Sequence, residues 1–193
     1  MKISQILSSV LLVLLASTSA NAADAITGNE SKATAAANEE QVREGKIINL
    51  QLDELTKQGG KYAYLQLSQK NRMSPFAVGV EANGAVIVLE VPKRETKATL
   101  TDKVLKLREM LKLAADGGKF VAGALFVQAK VPHQGIQVDG VAIELEHIKG
   151  LSIVRFSPYD LDLKSQKIKF RTPVDKDKPV VFFKDAKKKF NKA

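Results

Sequence analysis

Between residues 39 and 58 apolar side chains return at helical spacing. Ile48, Leu52 and Leu55 fall at i, i+4 and i+7, so they share one face of an amphipathic helix. Asn38 reads as its N-cap, with Gln41 three residues on completing a capping-box pattern, and Gly59-Gly60 reads as its end. "KYAYLQLS", 61–68, alternates, and fits either a strand or a second short helix that stops before Pro75. Two β-rich runs, 75–81 and 85–91, flank "ANG". That pattern predicts a hairpin in which Asn83-Gly84 supply the positive φ angles of a tight turn.

A second helical stripe follows. Thr101 is a suitable N-cap, Leu100 before it a staple against Leu105, and Val104, Leu107, Leu111 and Ala114 line one face as far as Asp116. Gly117-Gly118 closes that helix. "FVAGALFVQAKV", 120–131, is apolar on both faces for most of its length, which suits a central strand covered on one side by helix. Pro132 to Gln137 reads as a loop, and strands are expected at about 140–147, 151–157, 166–172 and 179–183. The order α-β-β-α-β-β-β, with extra strands late, implies an α+β fold: an antiparallel sheet with two helices packed on one face. This order is similar to that of profilin-like and roadblock-like folds, a likeness of topology that carries no function.

The most patterned stretch is "DGVAIELEHIKGLSIVRFSPYDL", 139–161, which sets Glu144, Glu146 and His147 within four residues. Two hairpin registers compete. With Lys149-Gly150 as the loop, Leu145 faces Val154, Ile143 faces Phe156 and Glu144 faces Arg155. With Ile148-Lys149-Gly150 as the loop, Ile143 faces Arg155 and the faces mix. Hydrophobic matching favours the first, although it asks a lysine to adopt a turn position that prefers positive φ. In either register side chains alternate, so Glu146 points one way and His147 the other. A structural hairpin is therefore the expectation, and a bulge near 146–147 is what a shared site would need.

The same residues carry a resemblance. Asp139, Val141, Ile143, Leu145, Glu146, His147, Gly150, Phe156, Pro158 and Tyr159 resemble a motif of a family of small uncharacterised bacterial proteins. Pro75-Phe76, Gly84 and the helix at 101–116 follow in similar order, so the likeness spans about residues 75–160. Leu151 departs from it, standing where the family carries an aromatic residue. The family has no assigned activity, so the resemblance implies a fold and no chemistry.

Composition changes the picture at both ends. Met1-Lys2, the mostly apolar run Ile6 to Ala16, and Ala20 and Ala22 in A-x-A spacing read as a secretory signal cut near Ala22. The expected organisation is a signal at 1–22, a flexible lead-in at 23–37, one α+β domain at 38–183 and a basic tail at 184–193. The product would be exported, periplasmic or extracellular, with no transmembrane segment in the mature chain. The chain has no cysteine, which excludes disulfides, thiol catalysis and cysteine-ligated metal. Of the formal charge of +9, nearly all lies late: residues 164–193 hold 11 basic and 3 acidic side chains, whereas 23–163 hold 18 of each.

No recognised catalytic motif is present, neither G-x-S-x-G, H-E-x-x-H nor a phosphate-binding glycine loop. A triad of Ser157, His147 and Asp160 exists only on paper, and no cofactor, metal or catalytic residue is assigned. His133, Glu146, His147 and Tyr159 are the candidate ligand-binding residues, and a cleft between sheet and loops with His133, Glu146 and Tyr159 near its rim would support a small-ligand module. Lys184, Lys187, Lys188, Lys189 and Lys192 are candidates for contact with an anionic surface. A single Phe190 among them is too little for a nucleic-acid stacking platform. The expected function is an exported, non-catalytic binding or adaptor domain, its partner an envelope protein or a small ligand. The alternatives are an envelope hydrolase or metal-dependent enzyme using Glu146 with His147 or His133, and attachment through the lysine tail.

Overall fold

The computed structural model describes residues 27–92, 98–133, 135–162, 164–165 and 167–186, with the side chains of 27–37 and 133 outside that description. The expected signal at 1–22 lies outside the described residues. Met1–Val42 and Arg43–Ala193 are separate units, and the sheet belongs to the second.

Helix α1 spans Thr27–Lys70. The expected lead-in is thus helical from Thr27, and Asn38 lies inside the helix rather than capping it. The alanine-rich "SKATAAA" explains this, because alanine has the highest helix propensity. Gly59-Gly60 does not end the helix either, and 61–68 belongs to it. Leu52, Leu55, Gly59, Ala63 and Leu67 form one continuous buried face across the glycine pair. Each buried leucine contributes about 1.5–3 kcal/mol, more than the roughly 1 kcal/mol that a helical glycine costs.

Strands β1 (Phe76–Glu81) and β2 (Val86–Leu89) form the first hairpin. Helix α2 (Leu100–Asp116) follows, then β3 (Phe120–His133), β4 (Ile136–His147), β5 (Ser152–Asp162), β6 (Lys167–Phe170) and β7 (Val174–Asp177). The cap of α2 is Thr99, two residues before the expected Thr101. Its side chain accepts from the Asp102 N–H while the Asp102 carboxylate accepts from the Thr99 N–H. The sheet is antiparallel throughout, in the order β2-β1-β3-β4-β5-β6, with β7 paired to the first half of β5. The α+β class and the element order are as expected.

The helices, however, lie on opposite faces. Phe76, Val78, Ala122, Ala124, Phe126, Val141, Ile143 and Leu145 pack with Leu52, Leu55, Ala63 and Leu67 of α1. Ala77, Phe120 and Leu125 pack instead with Leu107, Leu111 and Ala115 of α2 and with Phe182 and Phe183. Alternate residues of β1 and β3 therefore feed two cores. This is why "FVAGALFVQAKV" is apolar on both faces: helix covers it on each side, not on one.

The β4–β5 hairpin takes the mixed register, with Ile143 opposite Arg155, Glu144 opposite Val154 and Leu145 opposite Ile153. The turn decides it. The Gly150 N–H donates to the His147 carbonyl at 2.9 Å, the His147 N–H donates to the Leu151 carbonyl at 2.9 Å, and Gly150 has φ +100°. Three loop residues with the glycine in the left-handed region satisfy the turn and spare Lys149 a positive φ. The first hairpin repeats the device: Glu81 pairs with Ala85 through three loop residues ending at Gly84, φ +86°. Mixed faces are tolerated because Arg155 finds a partner across the sheet. Its Nε and Nη2 each donate to Asp175 of β7 at 2.8 Å, and the guanidinium holds that carboxyl below its usual range. Glu144, expected opposite Arg155, is bound by Arg108 of α2 instead.

The last expected strand, 179–183, is absent, and the seventh strand sits earlier at Val174–Asp177. Phe182 and Phe183 are neighbours in sequence and both fully buried in one core. A strand would send them to opposite faces; an irregular turn turns both inward. The expected loop at Pro132 to Gln137 is shorter than thought, since β3 runs to His133 and β4 starts at Ile136.

Candidate ligand pocket

The polar side chains singled out by sequence are scattered. Glu146 is fully buried on the α2 face. Its carboxylate accepts the N–H groups of Val181 (2.8 Å), Phe182 (2.6 Å) and Phe183 (3.2 Å), and it is bound by the ammonium of Lys178. Three successive backbone N–H groups form a nest for an anion, and the lysine supplies the opposite charge. Lys178 also lies 3.8 Å from Glu144 and above the Phe182 ring, 4.8 Å from its centroid. With Arg108, these groups make a neutral network that ties the C-terminal segment to β4. Glu146 has no accessible lone pair to offer a substrate.

His147 is buried on the α1 face. Its Nδ1 accepts from the Lys149 N–H at 3.1 Å, so the proton sits on Nε2, which donates to Gln51 Oε1 at 2.7 Å. Burial pushes its pKa down to about 4; the nearby Lys149 ammonium adds to this and Glu44 opposes it. Glu146 and His147 thus occupy opposite faces, as side-chain alternation required. His133 is opposite Ile136 at one end of the β3–β4 hairpin, while Glu146 is opposite Gly123 near the other. Ten residues of strand separate them, about 33 Å. The structure brings Glu146 together with neither histidine.

Tyr159 is buried at the far end of β5, where its hydroxyl accepts from Gln128 Nε2 at 2.8 Å. Gln128 in turn accepts from the Met73 N–H at 2.9 Å, so the pair secures the chain between α1 and β1. Burial holds the Tyr159 phenol above its ordinary pKa, with the Gln128 bond opposing and the Asp139 charge adding. The paper triad is also dispersed: Ser157 is opposite Val141, six residues along β4 from His147, and Asp160 is bound to Arg171. Among the described residues no three His, Cys, Asp or Glu side chains gather to hold a metal. Of the tail lysines, Lys184 is exposed, and Lys187, Lys188, Lys189 and Lys192 lie outside the described residues.

The fold does make a pocket, and it lies elsewhere. Between α1 and the sheet is a cavity of about 680 Å³. Thr56, Lys57, Gly60, Lys61, Ala63, Tyr64 and Leu65 form its helical wall. Phe126, Val141, Ile143, Ser157 and Phe170, from four successive strands, form the floor and far wall. The lining is almost wholly apolar. It lies beside a close contact between α1 and β3. At Gly59 a Cβ atom would lie 2.0 Å from Phe126 Cζ, so only glycine lets helix and ring meet. One residue later, a Cβ on Gly60 would meet nothing within 4 Å, because it faces the cavity.

A second cavity, about 500 Å³, is polar and includes Tyr159, Lys130, Asp139, Asp160 and Arg171. Its charges already pair with one another, Arg171 with Asp160 and Lys130 with Asp139 at 3.5 Å. Tyr159 alone of the four candidate ligand residues borders a described cavity. The residues that line the apolar pocket were missed by sequence reading. The available signal was small residues at 59, 60 and 63 inside an unbroken helical stripe.

No protein-family model, no curated protein and no solved structure matches the chain. Among the described residues no helix is long and apolar enough to cross a membrane.

Proposed function

We propose that the protein is an exported, non-catalytic binding domain that holds an apolar small molecule between α1 and the sheet. The observation that carries this reading is the 680 Å³ open pocket with its apolar lining, a size and character suited to receiving a small ligand. The dispersal of Glu146, His147 and Tyr159 supports binding over catalysis, since each is engaged in holding the fold. The secretory pattern at 1–22 supports export.

The test is binding of an uncharged naphthylamine fluorophore to the full chain and to Gly60→Phe. The new ring enters open space, so the variant should melt no lower than the parent and lose the fluorescence gain. Equal fluorescence from both chains would remove the pocket as the binding site.

A further inference from the structure

We infer that the ligand of this pocket is a single-chain anionic amphiphile, with its chain along the groove and its headgroup on the ammonium groups of Lys57 and Lys61. This rests on reading the pocket as a ligand site, and adds its chemical class. The lining on α1 runs from Thr56 to Leu65, about 14 Å at the helical rise, so the groove is elongated along the helix. Its floor of Phe126, Val141 and Ile143 offers no hydrogen-bonding side chain, and Ser157 and Tyr64 add only two hydroxyls to the walls. The Thr56 hydroxyl is already given to the Leu52 carbonyl at 2.9 Å. A ligand with an extended polar body would leave most of its donors and acceptors unpaired there, which costs affinity. An unbranched hydrocarbon leaves none.

The mouth differs from the floor. Lys57 and Lys61 are four residues apart, one turn of α1, so their ammonium groups share a side of the helix. No Asp or Glu lines the cavity. Glu54 approaches Lys57 at 3.9 Å, a weak and solvated contact. Lys61 makes no ion pair among the described residues. Two cations set at the rim of an apolar groove match a molecule with one acidic end and one apolar end. A neutral chain would fill the floor and leave the rim unused.

The experiment compares dodecanoate, decanoate and dodecanol, each below its aggregation limit, by calorimetric titration of the full chain at low salt. Dodecanoate should bind about fourfold more tightly per methylene than decanoate. It should also bind about tenfold more tightly than dodecanol, a preference that falls with added salt. The double substitution Lys57→Gln, Lys61→Gln should remove the preference and leave dodecanol affinity unchanged. Equal affinity for dodecanoate and dodecanol would overturn the anionic class while the pocket reading stood. Preserved binding of all three to Gly60→Phe would overturn the pocket reading itself. A chain that ignores dodecanoate but sediments with anionic phospholipid vesicles would overturn the free amphiphile.

Discussion

Gly59 and Gly60 are neighbours in one helix, yet alanine at each should shift stability in opposite directions. At Gly60 the new methyl meets nothing within 4 Å. Replacing a helical glycine by alanine then yields the propensity difference alone, about 1 kcal/mol of stabilisation. At Gly59 the new atom would lie 2.0 Å from Phe126 Cζ and within 2.8 Å of both Cε atoms. The ring is blocked on its Phe76 side, so relief needs the stack or the helix to shift. Phe126 is fully buried and stacked on Phe76 at 4.7 Å, and Phe76 is held edge-on by Tyr62 at 4.8 Å. Overpacking costs about 1–3 kcal/mol, and so severe an overlap belongs at the upper end. Set against the same 1 kcal/mol of propensity, Gly59→Ala should lose about 2 kcal/mol. For a chain of this size, 1 kcal/mol moves the melting temperature by about 2–4 °C. Far-UV circular dichroism melts of the full chain should therefore place Gly60→Ala about 2–4 °C above the parent and Gly59→Ala about 4–8 °C below it. Equal rises for both would mean that α1 does not touch Phe126. Equal falls would mean that the helix ends at the glycine pair, as the sequence alone suggested.

Three further outcomes follow from the same geometry. Glu146→Ala removes the anion from three N–H groups and a lysine in a buried site, and should cost about 3–5 kcal/mol in urea unfolding; a loss under 1 kcal/mol would contradict the clamp. His147 has its folded pKa lowered to about 4, below an unfolded value near 6.5. Its neutral form therefore supports the fold above pH 6.5, and that support is lost as pH falls from 6.5 towards 4. His147→Gln should flatten the melting temperature across that window, and an unchanged slope would argue against a buried neutral imidazole. Arg155 and Asp175 should show a coupling of about 0.5 kcal/mol in a double-mutant cycle, and Arg155 with Glu144 none. Coupling to Glu144 instead would restore the register that the turn geometry rejects.

How far the residues announced this fold can be seen strand by strand. The alternation in 139–161 placed Glu146 and His147 on opposite faces, because that follows from strand geometry in any register. The register itself was misjudged, since matching apolar partners assumes a sheet with one buried face, and here both faces are buried. Gly150 held the better signal, a turn residue able to take the positive φ that Lys149 would resist. Gly59-Gly60 read as a stop because glycine is weak in helices; its use for close approach depends on Phe126, which lies far along the chain. The pocket was illegible for the same reason. Its walls come from α1 and four strands, and no local pattern says that these will leave a space between them.

The central claim is that the groove between α1 and the sheet receives a ligand. Its most direct test is to map backbone and methyl resonances of the full chain during titration with dodecanol. Shifts gathered on Gly60, Ala63, Val141, Ile143 and Phe170, saturating with added ligand, are the predicted result. Shifts at Leu107, Leu111 and Phe183 on the opposite face, with the groove unmoved, would contradict it.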